Sequence, residues 1–226
     1  MTAPFPMKIT PVTGDKLSIV LAESPFLYDR FCREQARATE EELTPEPEYL
    51  YVDGVIIDEY PEQEWHIRGR SMWNPDKIRR TAHNVAEILT VLGANGFCIK
   101  HKGNLQSWFT AEEVTEGRAA AKTTFLRQHG AEVDLATWVG GFLLEGNPLP
   151  FIEQFLDYSR LFHRWPVEMV CRNLPLMLGL DYDFFVYWVS SDRPLLNRIT
   201  QELARRSILL GPSPYLPDPG GKGAKG

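Results

Sequence analysis

The chain has 226 residues, 43% of them hydrophobic and 24% charged, and a net charge of −6. That composition is globular, and a chain this long can bury an interior without a metal or disulfide staple. The acidic balance excludes a general nucleic-acid coat and a membrane-surface protein, while a local basic face stays open.

"KLSIVLAE" (16–23), a compact β-branched run, predicts the first strand. Ser24 and Pro25 then supply an N-cap and a pre-set first residue for a helix over 24–43, which "TPEPE" stops. In "YLYVDGVIIDEY" (49–60), Asp53-Gly54 between two β-rich runs predicts a hairpin with a type I′ turn. "EWHIR" (64–68) alternates apolar and polar residues as a further strand would. Asn74-Pro75 opens a helix whose Ile78, Val85, Ile88, Leu89 and Leu92 recur at helical spacing, ended by Gly93 and Gly96. "FCIK" (97–100) closes the series as a strand. In order, this reads as the ferredoxin-like β-α-β-β-α-β arrangement, with 64–68 as a decoration.

Strand signals vanish from residue 110. Thr110 and Glu113 form a capping box for a helix to about 128, and Asp134 is placed to cap a short apolar helix, "LATWVGGFLLEG". "FIEQFLDYSRLFHRW", "VEMVCRNL" and two further segments read as helices to Leu210. The expected fold is therefore α+β: a ferredoxin-like domain over 1–107, a helical domain over 110–211, and a disordered proline- and glycine-rich tail over 212–226. Cys32, Cys98 and Cys171 form no CxxC pair and read as reduced, buried hydrophobes. The first residues lack a signal-peptide pattern. The longest apolar stretches fall short of the ~20 residues a membrane helix needs. A cytoplasmic protein with no membrane partner is expected.

"LPLMLGLDYDFFVYWVSSDRP" (174–194) carries the most functional signal. Leu178, Gly179, Leu180, Phe185, Trp188, Ser190, Arg193 and Pro194 fall at the characteristic places of a helix-turn-helix. Over residues 166–194 the chain resembles the phage-repressor and Xre-like regulators. The resemblance implies a helix pair turning at Gly179, with Leu178, Leu180, Phe185 and Trp188 inside the angle, and suggests a phage or mobile-element setting. Pro175, Leu176 and Met177 depart from the family pattern. The segment also holds two cations, Arg172 and Arg193, against four anions, Glu168, Asp181, Asp183 and Asp192. Its outer face offers no Arg, Lys, Gln or Asn for bidentate base contacts. Three readings follow: a chance match between linked helices, an adaptor presenting Tyr182, Phe184 and Tyr187 to a protein partner, or a DNA reader.

The expected function is thus a non-enzymatic binding or assembly component that docks another protein. The alternative is a nucleic-acid-binding regulator or RNA-processing component. It would use Arg193, Arg198, Arg205 and Arg206 of the last helix, with Arg68 and Arg70 beside His66 on a strand. Lys100, His101 and Lys102 form a second basic stretch. Set against this, the last helix also reads as an ordinary amphipathic helix with cations near its C-terminus. Asp53, Asp58 and Glu59 form no carboxylate site, because Asp53 belongs to the turn and strand neighbours face opposite ways. His129 and His163 lack spaced partners. No catalytic residue, metal site or cofactor is assigned.

Overall fold

The first strand contains a proline, which hides it from sequence inspection. In the computed structural model, which describes residues 6–29, 32, 50–52, 75–101, 106–162, 164, 166–180 and 186–206, β1 is Lys8–Thr13, with Pro11 inside it. Proline gives no ladder N–H and is confined to sheet edges. β1 accordingly sits at one end of a seven-stranded sheet. The other strands are β2 (Leu50–Val52), β3 (Phe97–His101), β4 (Gly140–Glu145), β5 (Val167–Cys171), β6 (Leu176–Leu180) and β7 (Val186–Ser190). Their order is β1-β4-β3-β5-β6-β7-β2, and every neighbouring pair is antiparallel.

This overturns the expectation of a ferredoxin-like half followed by an all-helical half. β3, from the first half, lies between β4 and β5 from the second, and four of the seven strands come after residue 110. The physical reason is burial on both faces. "VEMVC" and "LMLGL" are buried at every position. A short apolar run of that kind has no periodicity to separate a strand from a helix.

The helix-turn-helix frame fails with it. Val167–Cys171, Leu176–Leu180 and Val186–Ser190 form the consecutive strands β5, β6 and β7 rather than a helix pair. Pro175, incompatible with the helix, sits in the bend before β6. Gly179 turns no helix and is absent from the positive-φ glycines. It is small because the Tyr187 ring on β7 lies across it, and a Cβ there would overlap that ring. The inference of a phage or mobile-element setting loses its only support.

Two more elements reverse. "KLSIVLAE" lies mostly in a helix, α1 (Gly14–Ala22), with Leu17 and Leu21 buried one turn apart and Ile19 exposed. "GGFLLE", expected in a helix, is β4. Gly140 and Gly141 are needed there because added Cβ atoms would strike the backbone oxygens of Val12 and Ile99 on the flanking strands. Residues 24–26 form a bend rather than a helix start. The Asp53-Gly54 turn, the 64–68 strand, most of the 24–43 helix and the 212–226 tail lie outside the described residues.

Local signals located other elements well. α2 (Pro75–Leu92) and α7 (Arg193–Arg205) lie where expected, and Asp192 caps α7 by accepting from the Leu195 amide at 3.3 Å. The Thr110–Glu113 capping box is present at the start of α3 (Ala111–Thr115), with α4 (Gly117–Gln128) following after Glu116. α5 (Leu149–Phe155) and α6 (Tyr158–Leu161) divide the helix predicted for "FIEQFLDYSRLFHRW". α2, α5 and α7 bury their apolar stripes against one face of the sheet, forming the larger core. The opposite face carries a smaller core, where α1 and the strap after it (residues 23–29) place Leu17, Leu21, Phe26 and Tyr28 over Cys98, Val170, Met177 and Val189.

Candidate functional site

Alternation along β3 sends two consecutive polar residues to opposite faces of the sheet. Lys100 enters the smaller core and His101 the larger one, and they are only 6% and 4% exposed. Neither is available to a nucleic acid, which corrects their reading as a basic contact stretch. Lys102 and His66 lie outside the described residues.

Lys100 belongs to a row that crosses four strands: Lys100 pairs in register with Glu168, Glu168 with Gly179, and Gly179 with Tyr187. Glu168 is fully buried. The strap lowers Tyr28 into this row. The Tyr28 hydroxyl accepts a hydrogen bond from Lys100 Nζ and donates one to Glu168 Oε2 at 2.5 Å. Lys100 Nζ lies 3.9 Å from the same carboxylate oxygen and 4.2 Å from the centre of the Tyr28 ring. Tyr187 donates from its hydroxyl to the other oxygen, Oε1, at 3.2 Å. Burial first, and the Glu168 carboxylate second, hold the Tyr28 phenol far above its ordinary value, so it remains a donor. Cys32 borders the row. Burial raises its thiol, assisted by Glu168 and Asp29, while the Tyr28 hydrogen bond and Lys100 act in the opposite direction.

Chemically the row is a chain of proton donors ending on a fully buried carboxylate. A buried ion pair stabilises little in net terms, because desolvating two charges offsets most of their attraction. Its geometric consequence is clearer: the row fastens the strap to the sheet.

On the larger face, His101 stands in an aromatic box with its ring 4.2 Å from that of Trp108 and 5.2 Å from that of Tyr158. Tyr158 donates its hydroxyl proton to the Trp108 carbonyl. With that proton committed, the 3.2 Å contact with His101 Nε2 calls for a proton on that nitrogen. Trp108 Nε1 donates to the Gly140 carbonyl at 3.0 Å. Tyr158→Phe should therefore leave a buried carbonyl and a buried ring N–H without this partner. A loss of about 1–3 kcal/mol in urea unfolding is expected, and an unchanged midpoint would contradict the assignment.

Arg164 closes the end of this region, with Nη2 2.8 Å from Glu113 Oε2. The same oxygen accepts from the Thr110 amide at 2.7 Å. Burial pushes the Glu113 carboxyl up, but the Thr110 amide and Arg164 outweigh it and hold it below its usual value. The stabilisation is thus complete above about pH 4.3, the ordinary Glu value, and fades as pH falls through the lower folded value. Glu113→Gln should lower stability by about 1 kcal/mol at neutral pH. The gap to the parent protein should narrow below pH 4 when urea midpoints are compared.

Only some of the residues singled out by sequence fall within the described part of the structure. Tyr187 lies on β7, half-buried, in the Glu168 row. Tyr182, Phe184, Arg68 and Arg70 lie outside the described residues. Of the α7 arginines, Arg193 is exposed at the N-terminus, Arg198 lies mid-helix, and Arg205 and Arg206 lie at the other end. Arg198 donates to the Val91 carbonyl at 3.3 Å. Arg205 pairs with Glu202; Arg206 pairs with Glu202 at 2.5 Å and Glu87 at 3.5 Å. Arg206 and Glu87, with His83 and Asn147, line a groove of about 370 Å³ between α2 and the end of α7. Its cation is already matched by carboxylates, so it offers no bare positive surface to phosphates.

Glu168 and Tyr28 were missed as site residues. The available signal was one charge inside each of two apolar strands, Lys100 in "FCIKH" and Glu168 in "VEMVC". Among the described residues, no group of three His, Cys, Asp or Glu side chains is placed to hold a metal, and no helix is long and apolar enough to cross a membrane. No family model matches the chain, and neither the curated proteins nor the solved structures contain a significant match to it.

Proposed function

We propose that the protein is a cytoplasmic binding component that docks a basic protein partner through its acidic segment, residues 38–64. The observation that carries this reading is the distribution of charge. Ten Asp and Glu fall between 38 and 64 with no Lys or Arg, leaving 20 acidic residues elsewhere to face all 24 Lys and Arg. The chain's negative charge is therefore concentrated in one stretch, interleaved with Tyr49, Tyr51, Ile56, Ile57 and Tyr60. Such a stretch repels nucleic acid and attracts a Lys/Arg-rich surface, and aromatic residues are favoured at interface hot spots. β2 lies at its centre, paired antiparallel with β7 at the end of the sheet, which ties the stretch to the body of the protein. The free thiols of Cys32, Cys98 and Cys171 suit a reducing compartment.

The test replaces Glu40, Glu41, Glu42, Glu46 and Glu48 with Gln in the full chain. Capture from source-cell lysate should yield a basic partner from the parent protein. Recovery should fall at least tenfold in the variant and also as ionic strength shortens electrostatic reach, with an unchanged thermal midpoint. Capture indifferent to both salt and the five substitutions would overturn the proposal. So would tight binding to DNA or RNA at low salt.

A further inference from the structure

We infer that α1 and the strap form a releasable cover over the smaller face of the sheet, latched by the Tyr28 hydroxyl between Lys100 and Glu168. The two faces are held by separate sets of residues. The larger core joins α2, α5 and α7 to the sheet without Leu17, Leu21, Phe26 or Tyr28. Those four side chains are the buried contribution of the cover to the smaller core.

α1 has nine residues and no side-chain cap at its N-terminus. A helix that short is marginal alone, so contact with the sheet must hold it in place. After it the strap makes two polar ties to β5. Ser24 Oγ donates to the Cys171 carbonyl at 2.9 Å, and Tyr28 engages Glu168. The first tie is an ordinary hydrogen bond. The second is charge-assisted on both sides, since the hydroxyl accepts from an ammonium and donates to a carboxylate. Ile19 and Leu27, 60% and 52% exposed, show that the outer side of the cover carries no described layer above it. A segment whose buried contribution to the sheet is four side chains, with Tyr28 as its charge-assisted tie to β5, can open at lower free energy than the whole protein.

Two thiols make the movement measurable. Cys98 lies on the covered face, among Leu17, Leu21 and Phe26, and is 2% exposed. Cys171 lies on the larger face and is fully buried. Lifting the cover exposes the first and leaves the second protected, whereas global unfolding exposes both.

The experiment follows labelling of each thiol by a maleimide, resolved by peptide mass spectrometry, in the full chain carrying Cys32→Ser. Cys98 should react before Cys171, with a shallow dependence on urea. Tyr28→Phe should accelerate Cys98 labelling by roughly ten- to a hundredfold, the range implied by losing hydrogen bonds to charged groups, and leave the Cys171 rate within about twofold. The triple variant Tyr28→Phe, Lys100→Met, Glu168→Leu replaces the latch by apolar contact and should slow Cys98 labelling again, back toward the parent rate. Acceleration of both thiols together in Tyr28→Phe, or of neither, overturns the inference. So does a triple variant in which Cys98 reacts as fast as in Tyr28→Phe.

Discussion

Trp188→Ala is expected to destabilise the protein by about 3–5 kcal/mol, the range for removing a large buried aromatic. Trp188 is fully buried in β7, opposite Leu178 on β6 and in register with Val52 of β2. Deleting its indole opens a cavity in the larger core, on the strand against which α7 packs. The indole N–H has no hydrogen-bond partner among the described residues. The stabilisation is therefore apolar and steric, and Trp188→Phe, which keeps most of the ring, should lose less than half as much. Urea unfolding at neutral pH reads both values. An alanine variant within 1 kcal/mol of the parent would show that the site collapses freely or that the ring does not fill this core.

Lys100→Met should rank beside it. Glu168 is fully buried, and removing its cation leaves a carboxylate supported, among the described residues, by the Tyr28 and Tyr187 hydroxyls. Breaking one side of a buried ion pair typically costs about 3–5 kcal/mol, because the remaining charge stays desolvated and uncompensated. Glu168→Leu should behave alike by stranding the ammonium. The double variant Lys100→Met, Glu168→Leu removes both desolvation penalties and should recover much of the loss. The four proteins form a thermodynamic cycle, and the two substitutions should couple by more than 1 kcal/mol. Simple additivity would mean that water reaches the pair and that the row is no sealed unit.

The smaller core depends on contacts invisible along the chain. "FCIKH" was legible as a strand, but the Lys inside it read as an exposed charge, because the opposing Glu168 sits in a segment that resembled a helix. Gly179 was legible as a constrained position, yet for the wrong reason. A glycine between two leucines fits a helix turn as well as it fits a strand on which a neighbour's tyrosine must lie flat. The arginines of α7 were legible as a cluster, while Glu87, which neutralises one of them, belongs to α2 and is adjacent only after the helices pack.

By itself the sequence determined the elements whose physics is local. The Thr110–Glu113 box, the repeated apolar stripe of α2 and its glycine stop act over three to seven residues, so composition and spacing specify them. It also determined the concentration of negative charge between 38 and 64, which no folding can redistribute along the chain. Only the tertiary structure decided that 140–190 supplies four strands, that β3 is inserted between two of them, and that Lys100, Glu168 and Tyr28 meet. A short apolar segment is stable as helix or strand according to what covers it and what completes its backbone hydrogen bonds, and those partners come from distant parts of the chain.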